Sequence, residues 1–338
     1  MAIDNLDLKK FKEYIRKERA CKDVCAKFNI SILEFTSVIS KLRSMGINII
    51  MYGVEDDAYV INLDERNLNG DNIYTIDIND DNHFDALLLS DTRFGSKYQQ
   101  LSKVNFAYQM ANKLGINKVI HLGDISEGLY SVKSLYYSTL FKDTTKDQIS
   151  YIVNNYPYIE GITTYFITGD QDLTHTIKNG VDIGRAISDE RDDMIYLGNM
   201  RCTLNVRKMK ILAQHLKIGA FDRAKTISLK PQDFLYSMRS EEKVDIVLDG
   251  HILVDQQITE REMSEISVPS MVATTPRIRS NAVPHNVGFI ILNVNLTKDG
   301  KFRNKYATYA PFYQTDIDDY EHCKVLKIGG KKNEFKNR

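Results

Sequence analysis

Short polar signatures, each placed where an apolar run ends, constrain this chain more than any other feature. Ser90-Asp91-Thr92-Arg93 follows FDALLL, Gly123-Asp124 follows KVIHL, and Gly169-Asp170-Gln171-Asp172 follows TTYFIT. His215 closes MKILAQ, and Gly250-His251 follows DIVLD. Apolar runs of this length bounded by turn residues predict strands, and helical patterns over about Gln99 to Leu114 and up to about Asn155 lie between them. Strand alternating with helix is the rhythm of an α/β fold, in which the carboxyl ends of the strands converge on one crevice where ligands bind. The second half (MIYLG, CTLNV, ISVPSMVA, GFIILNVNL) is dominated by strands, with one helical pattern over residues 224–240. A length of 338 residues with 43% hydrophobic residues accommodates a large core and a second, smaller unit.

The order of these signatures resembles the calcineurin-like metallophosphoesterase family, whose motifs run D-x-H, G-D, G-N-H-D/E, a lone His and G-H-x-H. The match covers residues 84–300. The resemblance implies a four-layer α/β/β/α sandwich. Longer stretches, DTRFGSKYQQ and GDQDLTHTIKNGVDIGRAISDERDDMIYLG, look like a branch of the family common in phage and archaeal genomes and described as exonuclease-like. In this family two divalent cations, about 3.5 to 4 Å apart, clamp a phosphate and activate water. Carboxylates and imidazoles suit Mn, Fe or Zn.

Carried over residue by residue, the resemblance assigns Asp124 as the bridge between the cations. Asp170, in place of the family's Asn, would complete one cation's ligands together with His215 and His251. The other cation would use Asp91 and Asp124, but its two histidines are replaced by Arg93 and Leu253. The histidine of G-N-H-D, which assists the leaving group, is Gln171, which cannot act as an acid. A guanidinium stays charged and cannot coordinate a cation, so Arg93 is expected to pair with Asp91, Asp124 or Asp170 and to substitute a salt bridge for the metal. The cofactor expectation is therefore none, or one divalent ion of Mn, Fe or Zn type. His121, inside VIHL, reads as a core histidine; His175 is expected at the surface, the other reading being a substitute for the missing acid; in TTPRIRSNAVPHN, the segment of His285, Arg277 and Arg279 could face the crevice and hold phosphate or lie in an exposed loop; Glu127 could support the crevice or cap the next helix.

Residues 1–63 read as a separate unit. Ser31 and Glu34 form an S-x-x-E capping box, and Phe35, Val38, Ile39 and Leu42 make an amphipathic stripe that Gly46 ends. INIIM and AYVINL then flank YGVEDD as a hairpin. Helices followed by a hairpin is the order of a winged helix-turn-helix. Its third helix carries Thr36, Ser37, Ser40, Lys41 and Arg43, suited to a DNA major groove. The whole chain is neutral, with 45 Lys+Arg against 45 Asp+Glu, so any contact with nucleic acid must be local. Residues 1–46 hold ten basic and six acidic residues, a difference of +4, whereas Glu55, Asp56 and Asp57 make the hairpin tip acidic. Contact with protein, or dimerisation, is the other use of such a unit.

Residues 64–83 read as a linker with room for one strand, 84–312 as the phosphoesterase-like domain, and 313–338 as a C-terminal tail with a basic, frayed end. There is no run long enough for a membrane span and no leader-like apolar segment. The four cysteines show no C-x-x-C spacing. These features point to a soluble cytoplasmic protein, in the host cytoplasm if phage-encoded. The combined expectation is a DNA-binding or assembly protein from a phage or mobile element, built on a phosphoesterase domain with impaired catalysis. Its partners would be DNA through the N-terminal unit and a further protein or a second copy. The alternative is a single-metal phosphodiesterase or nuclease acting on DNA.

Overall fold

The computed structural model describes residues 6–15, 19–44, 49–54, 57–62, 72–78, 82–215, 244–260, 262–280 and 284–329. At the N-terminus lie α1 (Leu8–Tyr14), β1 (Arg19–Ala20), α2 (Cys21–Phe28), α3 (Ile32–Ser44), β2 (Ile49–Val54) and β3 (Asp57–Asn62). The capping box starts α3: the Ser31 N–H donates to Glu34 Oε2 at 2.8 Å and the Glu34 N–H donates to Ser31 Oγ at 3.2 Å. Phe35, Val38, Ile39 and Leu42 face inward and close a small core with Phe11, Val24 and Val60. The strands form an antiparallel sheet in the order β1-β3-β2. Thr36, Ser37, Ser40 and Lys41 are exposed on α3, as are the apolar Ile32 and Leu33. The Arg43 side chain, Gly46, and Glu55 and Asp56 of the hairpin tip lie outside the described residues.

The larger part begins with β4 (Ile73–Thr75), β5 (His83–Leu89), α4 (Leu101–Lys113), β6 (Lys118–Leu122), α5 (Thr145–Asn155), β7 (Tyr158–Ile159), β8 (Thr163–Thr168), α6 (Asp170–Asn179) and α7 (Ile183–Glu190). It continues with β9 (Met194–Asn199), β10 (Arg201–Val206), β11 (Met209–His215), β12 (Ile246–Leu253), β13 (Gln256–Glu260) and β14 (Met263–Pro269). The last elements are α8 (Pro276–Ser280), β15 (Gly288–Leu296), β16 (Phe302–Pro311), α9 (Asp319–His322) and β17 (Lys327–Ile328).

Period-two burial inside single strands lays down the layers. In β5, Phe84, Ala86 and Leu88 join the core between two sheets, while Leu87 and Leu89 pack under α4, α5 and α7 with Val104, Tyr108, Ile152 and Ile187. Burying each such side chain contributes roughly 1.5–3 kcal/mol. One sheet has the order β16-β15-β5-β6-β8-β9, the other β13-β14-β12-β11-β10-β4, and both mix parallel and antiparallel pairs. The chain thus has a mixed α/β fold of two six-stranded sheets with helices outside. Residues 224–240, with their helical pattern, lie outside the described residues. Among the described residues no helix is long and apolar enough to cross a membrane.

Two segments read as peripheral are tied into these layers. Within the expected linker, β4 pairs in parallel with β10, and Ile76 is buried between the sheets. At the other end, Lys327 and Ile328 pair with β7 instead of fraying, and Asp319 Oδ2 accepts the Ser102 N–H at 2.6 Å. Long-range pairing overrides local polarity at both sites.

His175 was expected at the surface and is instead buried on α6, where its ring nitrogens face Ser126 Oγ at 3.1 Å and Thr145 Oγ1 at 3.0 Å. Burial pushes its pKa down to about 4, so the folded chain refuses a proton that the unfolded chain takes up near 6.5. Stability should therefore fall as the pH drops from about 6.5 to 4, because the unfolded state then binds more protons. A His175→Gln variant should show a shallower loss of urea midpoint between pH 7 and 5 than the parent; identical slopes would count against the assignment.

Candidate metal centre

The ends of β5, β6 and β12 bend sharply, and the bend is visible in the backbone. Asp91, Arg93, Asp124, His251 and Leu253 have φ of 51°, 48°, 54°, 72° and 66°, a left-handed conformation uncommon outside glycine and concentrated at functional sites. Hydrogen bonds hold these turns side by side: the Asp91 N–H donates to Gly123 O at 3.0 Å and the Arg93 N–H to Asp124 O at 3.1 Å. The motif glycines permit close approach. A Cβ on Gly169 would lie 2.2 Å from Asp124 Oδ1, and one on Gly123, itself at φ 88°, would lie 2.6 Å from His215 Nδ1.

Four of the sequence-derived residues converge. Ligand atoms of Asp124, Asp170, His215 and His251 all lie within 4.8 Å of one another. Asp170 Oδ1 is 3.1 Å from His215 Nε2 and 2.9 Å from His251 Nδ1, and His215 Nε2 is 3.5 Å from Asp124 Oδ2. The His215 Nδ1 faces Leu122 O at 2.7 Å, a backbone acceptor that orients the ring with Nε2 toward the carboxylates. Burial would lower the His215 pKa, but Asp124 and Asp170 raise it well above the ordinary histidine value. Burial would likewise raise Asp170, yet His251 and His215 hold it well below the carboxylate range. Two imidazoles and two carboxylates aimed at one small volume make a donor set that fits a divalent ion of the Mn, Fe or Zn type, which would displace the His215 proton.

Beside this set sits Arg93. Its Nη2 donates to Asp91 Oδ1 at 2.9 Å and to Asp124 Oδ2 at 3.0 Å, and its Nε donates to Asp91 Oδ1 at 3.2 Å. Both carboxylates are fully buried and the guanidinium is nearly so. Burial alone would raise the Asp91 pKa; Arg93, assisted by His215 and His251, holds it below the ordinary range. Burial would also strip the charge from Arg93, but Asp124 and Asp91 push its pKa well above the usual value, so it remains a cation. Leu253 is a buried hydrophobe packed with Val272 and Ile278.

Gln171 occupies the first turn of α6; its N–H donates to Asp124 Oδ1 at 2.9 Å and its side chain donates to Asp170 Oδ2 at 3.1 Å. Asp172, whose role the sequence pattern does not reveal by itself, accepts from the N–H groups of Gly169, Ile125 and Ser126 at 2.9, 3.1 and 2.8 Å, and so clamps the two Gly-Asp turns together. The signal for it was present: an acidic residue three positions after the helix-capping Gly169. Glu127 is buried, receives the Tyr130 hydroxyl at 2.8 Å, and has a pKa raised by burial in spite of Arg93. His121 is a core histidine bonded to Thr92 Oγ1 at 3.0 Å, and burial keeps it neutral. Arg277 lies close enough to bias Glu127 and Tyr130 and sits 5.9 Å from the Tyr136 ring, whereas Arg279 is exposed. His285 lies between Ser270 and Thr274.

The fold is similar to that of several solved structures. An archaeal phosphodiesterase is 12% identical over 67% of this chain and 100% of its own length, with a TM-score of 0.38. YfcE, a phosphoesterase from E. coli, is 9% identical over 66% of this chain and 98% of its own, with a TM-score of 0.33. Vps29 from Entamoeba histolytica, complexed with zinc, is 11% identical over 68% and 99%, also at 0.33. No family model matches the sequence, and no curated protein matches it.

Removing the guanidinium would leave Asp91 and Asp124 buried without their cation. An Arg93→Ala variant should lose about 3–5 kcal/mol of unfolding free energy, the range for breaking one side of a buried ion pair. Unchanged denaturant midpoints would show that the pairing contributes nothing to stability.

Proposed function

We propose that this chain is a phosphoesterase-type protein in which one of two cation seats has been given to an arginine, so that it binds a phosphodiester at a single-ion centre without turning it over efficiently. The observation that carries this is the bond of Arg93 to both Asp91 and Asp124. The remaining ion would be held by Asp124, Asp170, His215 and His251. When bound, it supplies Lewis-acid polarisation of a phosphoryl oxygen. Arg93 supplies fixed positive charge beside it, and Gln171 offers hydrogen bonds but no proton for a leaving group. Slow hydrolysis by the single ion is the alternative within the same site.

The N-terminal unit, with helices followed by a hairpin, is read as a winged helix that contacts DNA through Thr36, Ser37, Ser40, Lys41 and Arg43. Its +4 helical part supports phosphate contact. Exposed Ile32 and Leu33, at 57% and 77%, favour protein contact or self-association at the same helix as the second use.

Metal analysis of the purified chain after loading with Mn should give one equivalent, with turnover of a generic phosphodiester at background. The double variant Arg93→His/Leu253→His, which rebuilds the absent imidazoles, should take up a second equivalent and raise turnover on the order of a hundredfold. Two equivalents in the parent, or parent turnover abolished by His251→Ala, would defeat the proposal. DNA affinity should fall steeply with salt and disappear when residues 1–63 are deleted; retention by the shortened chain would move DNA binding away from α3.

A further inference from the structure

A cavity of about 330 Å³ takes in none of the candidate cation ligands. Thr274, His285, Asn286, Tyr309, Phe312 and Tyr313 line it. Main-chain bonds tie its walls to the centre: the Met271 N–H donates to Ser90 O at 3.0 Å, and the Asn286 N–H donates to Leu253 O at 2.8 Å. His285 Nε2 faces Ser270 Oγ at 2.7 Å, and Ser270 precedes the Met271 bonded to Ser90, so the cavity wall adjoins the strand end that carries Asp91 and Arg93.

Its chemistry is narrow. Among the described residues the lining carries no Lys, Arg, Asp or Glu, and burial pushes the His285 pKa down to about 4; Asp255, bonded to Asn286 Nδ2 at 2.6 Å, and Lys103, 5.6 Å from the Phe312 ring, stand behind the walls. The volume is at the low end for ligand cavities, enough for a small ring system and too little for a folded segment or a duplex. Phe312 is fixed by rings on both sides, 5.8 Å from Phe106 and 5.8 Å from Phe289. Tyr309 is tethered through its hydroxyl, which donates to Val287 O at 3.3 Å. Tyr313, by contrast, is 93% exposed at the rim. The open Tyr313 ring offers a face to stack on, and the hydroxyls of Thr274 and Thr315 stand at the edge, so an unpaired base would find a stacking surface and partners for its polar edge.

We infer that this cavity is a nucleobase subsite, holding one unpaired base of a nucleotide or single strand whose phosphate lies in the adjoining crevice. The inference rests on the phosphodiester reading of the crevice, and the two fail separately. The full chain is titrated with adenosine, which has no phosphate, and with adenosine monophosphate, each followed by ligand-detected NMR. Adenosine should bind, and Tyr313→Ala should weaken it about tenfold or more, the scale of one lost base–aromatic stack. Because Tyr313 is so exposed, its removal leaves the fold intact; Thr274→Val, at a second wall, should also weaken adenosine. Absence of adenosine binding, or equal binding by both variants, overturns the subsite. Adenosine binding with no gain for the monophosphate upholds the subsite and removes the phosphate reading of the crevice.

Discussion

The contact on which the site depends is a guanidinium held between two buried carboxylates. Asp91 and Asp124 come from different strand ends, and without a cation between them their charges would repel in a medium that screens little. Arg93 supplies that cation from within the chain, bonded to both. A covalently attached charge is always present, whereas a metal ion must be captured. Charge balance at this half of the crevice is thus built into the chain.

The neighbouring half has a different logic. Asp170, His215 and His251 converge with Asp124 on one volume, and they polarise one another: the histidine is driven toward its cationic form and the aspartate toward its anionic form. A proton thus stands where an ion would bind. Were an ion bound by these residues, its capture and the release of the His215 proton would be linked. Asp172 and the Gln171 amide keep the surrounding turns in register for either state.

The two sheets explain why such a cluster can exist at all. Parallel strands β5, β6 and β8 in one sheet and β11 and β12 in the other end near the same place, and Gly123, Gly169 and Gly250, before Asp124, Asp170 and His251, allow backbones to approach to distances a side chain would forbid. Left-handed backbone at Asp91, Arg93, Asp124 and His251 goes with side chains that meet in the crevice. The large core between the sheets stabilises the fold enough to tolerate this local strain.

Much of this was legible in the residues themselves. Apolar runs bounded by Gly-Asp and Gly-His mark strand ends, and charge follows from residue type, so the strand ends that carry Asp91, Asp124, Asp170 and His251, the α3 capping box and an ion-paired Arg93 could be read locally. What local pattern could not supply was lateral pairing. It does not show which carboxylates Arg93 would choose, that Ile73–Thr75 extends a distant sheet, that His175 is buried under Ser126 and Thr145, or that the segments around His285 and Tyr313 enclose a cavity. Those outcomes depend on contacts between residues far apart in the chain, where packing and burial, not the propensity of a short segment, set the lowest free energy.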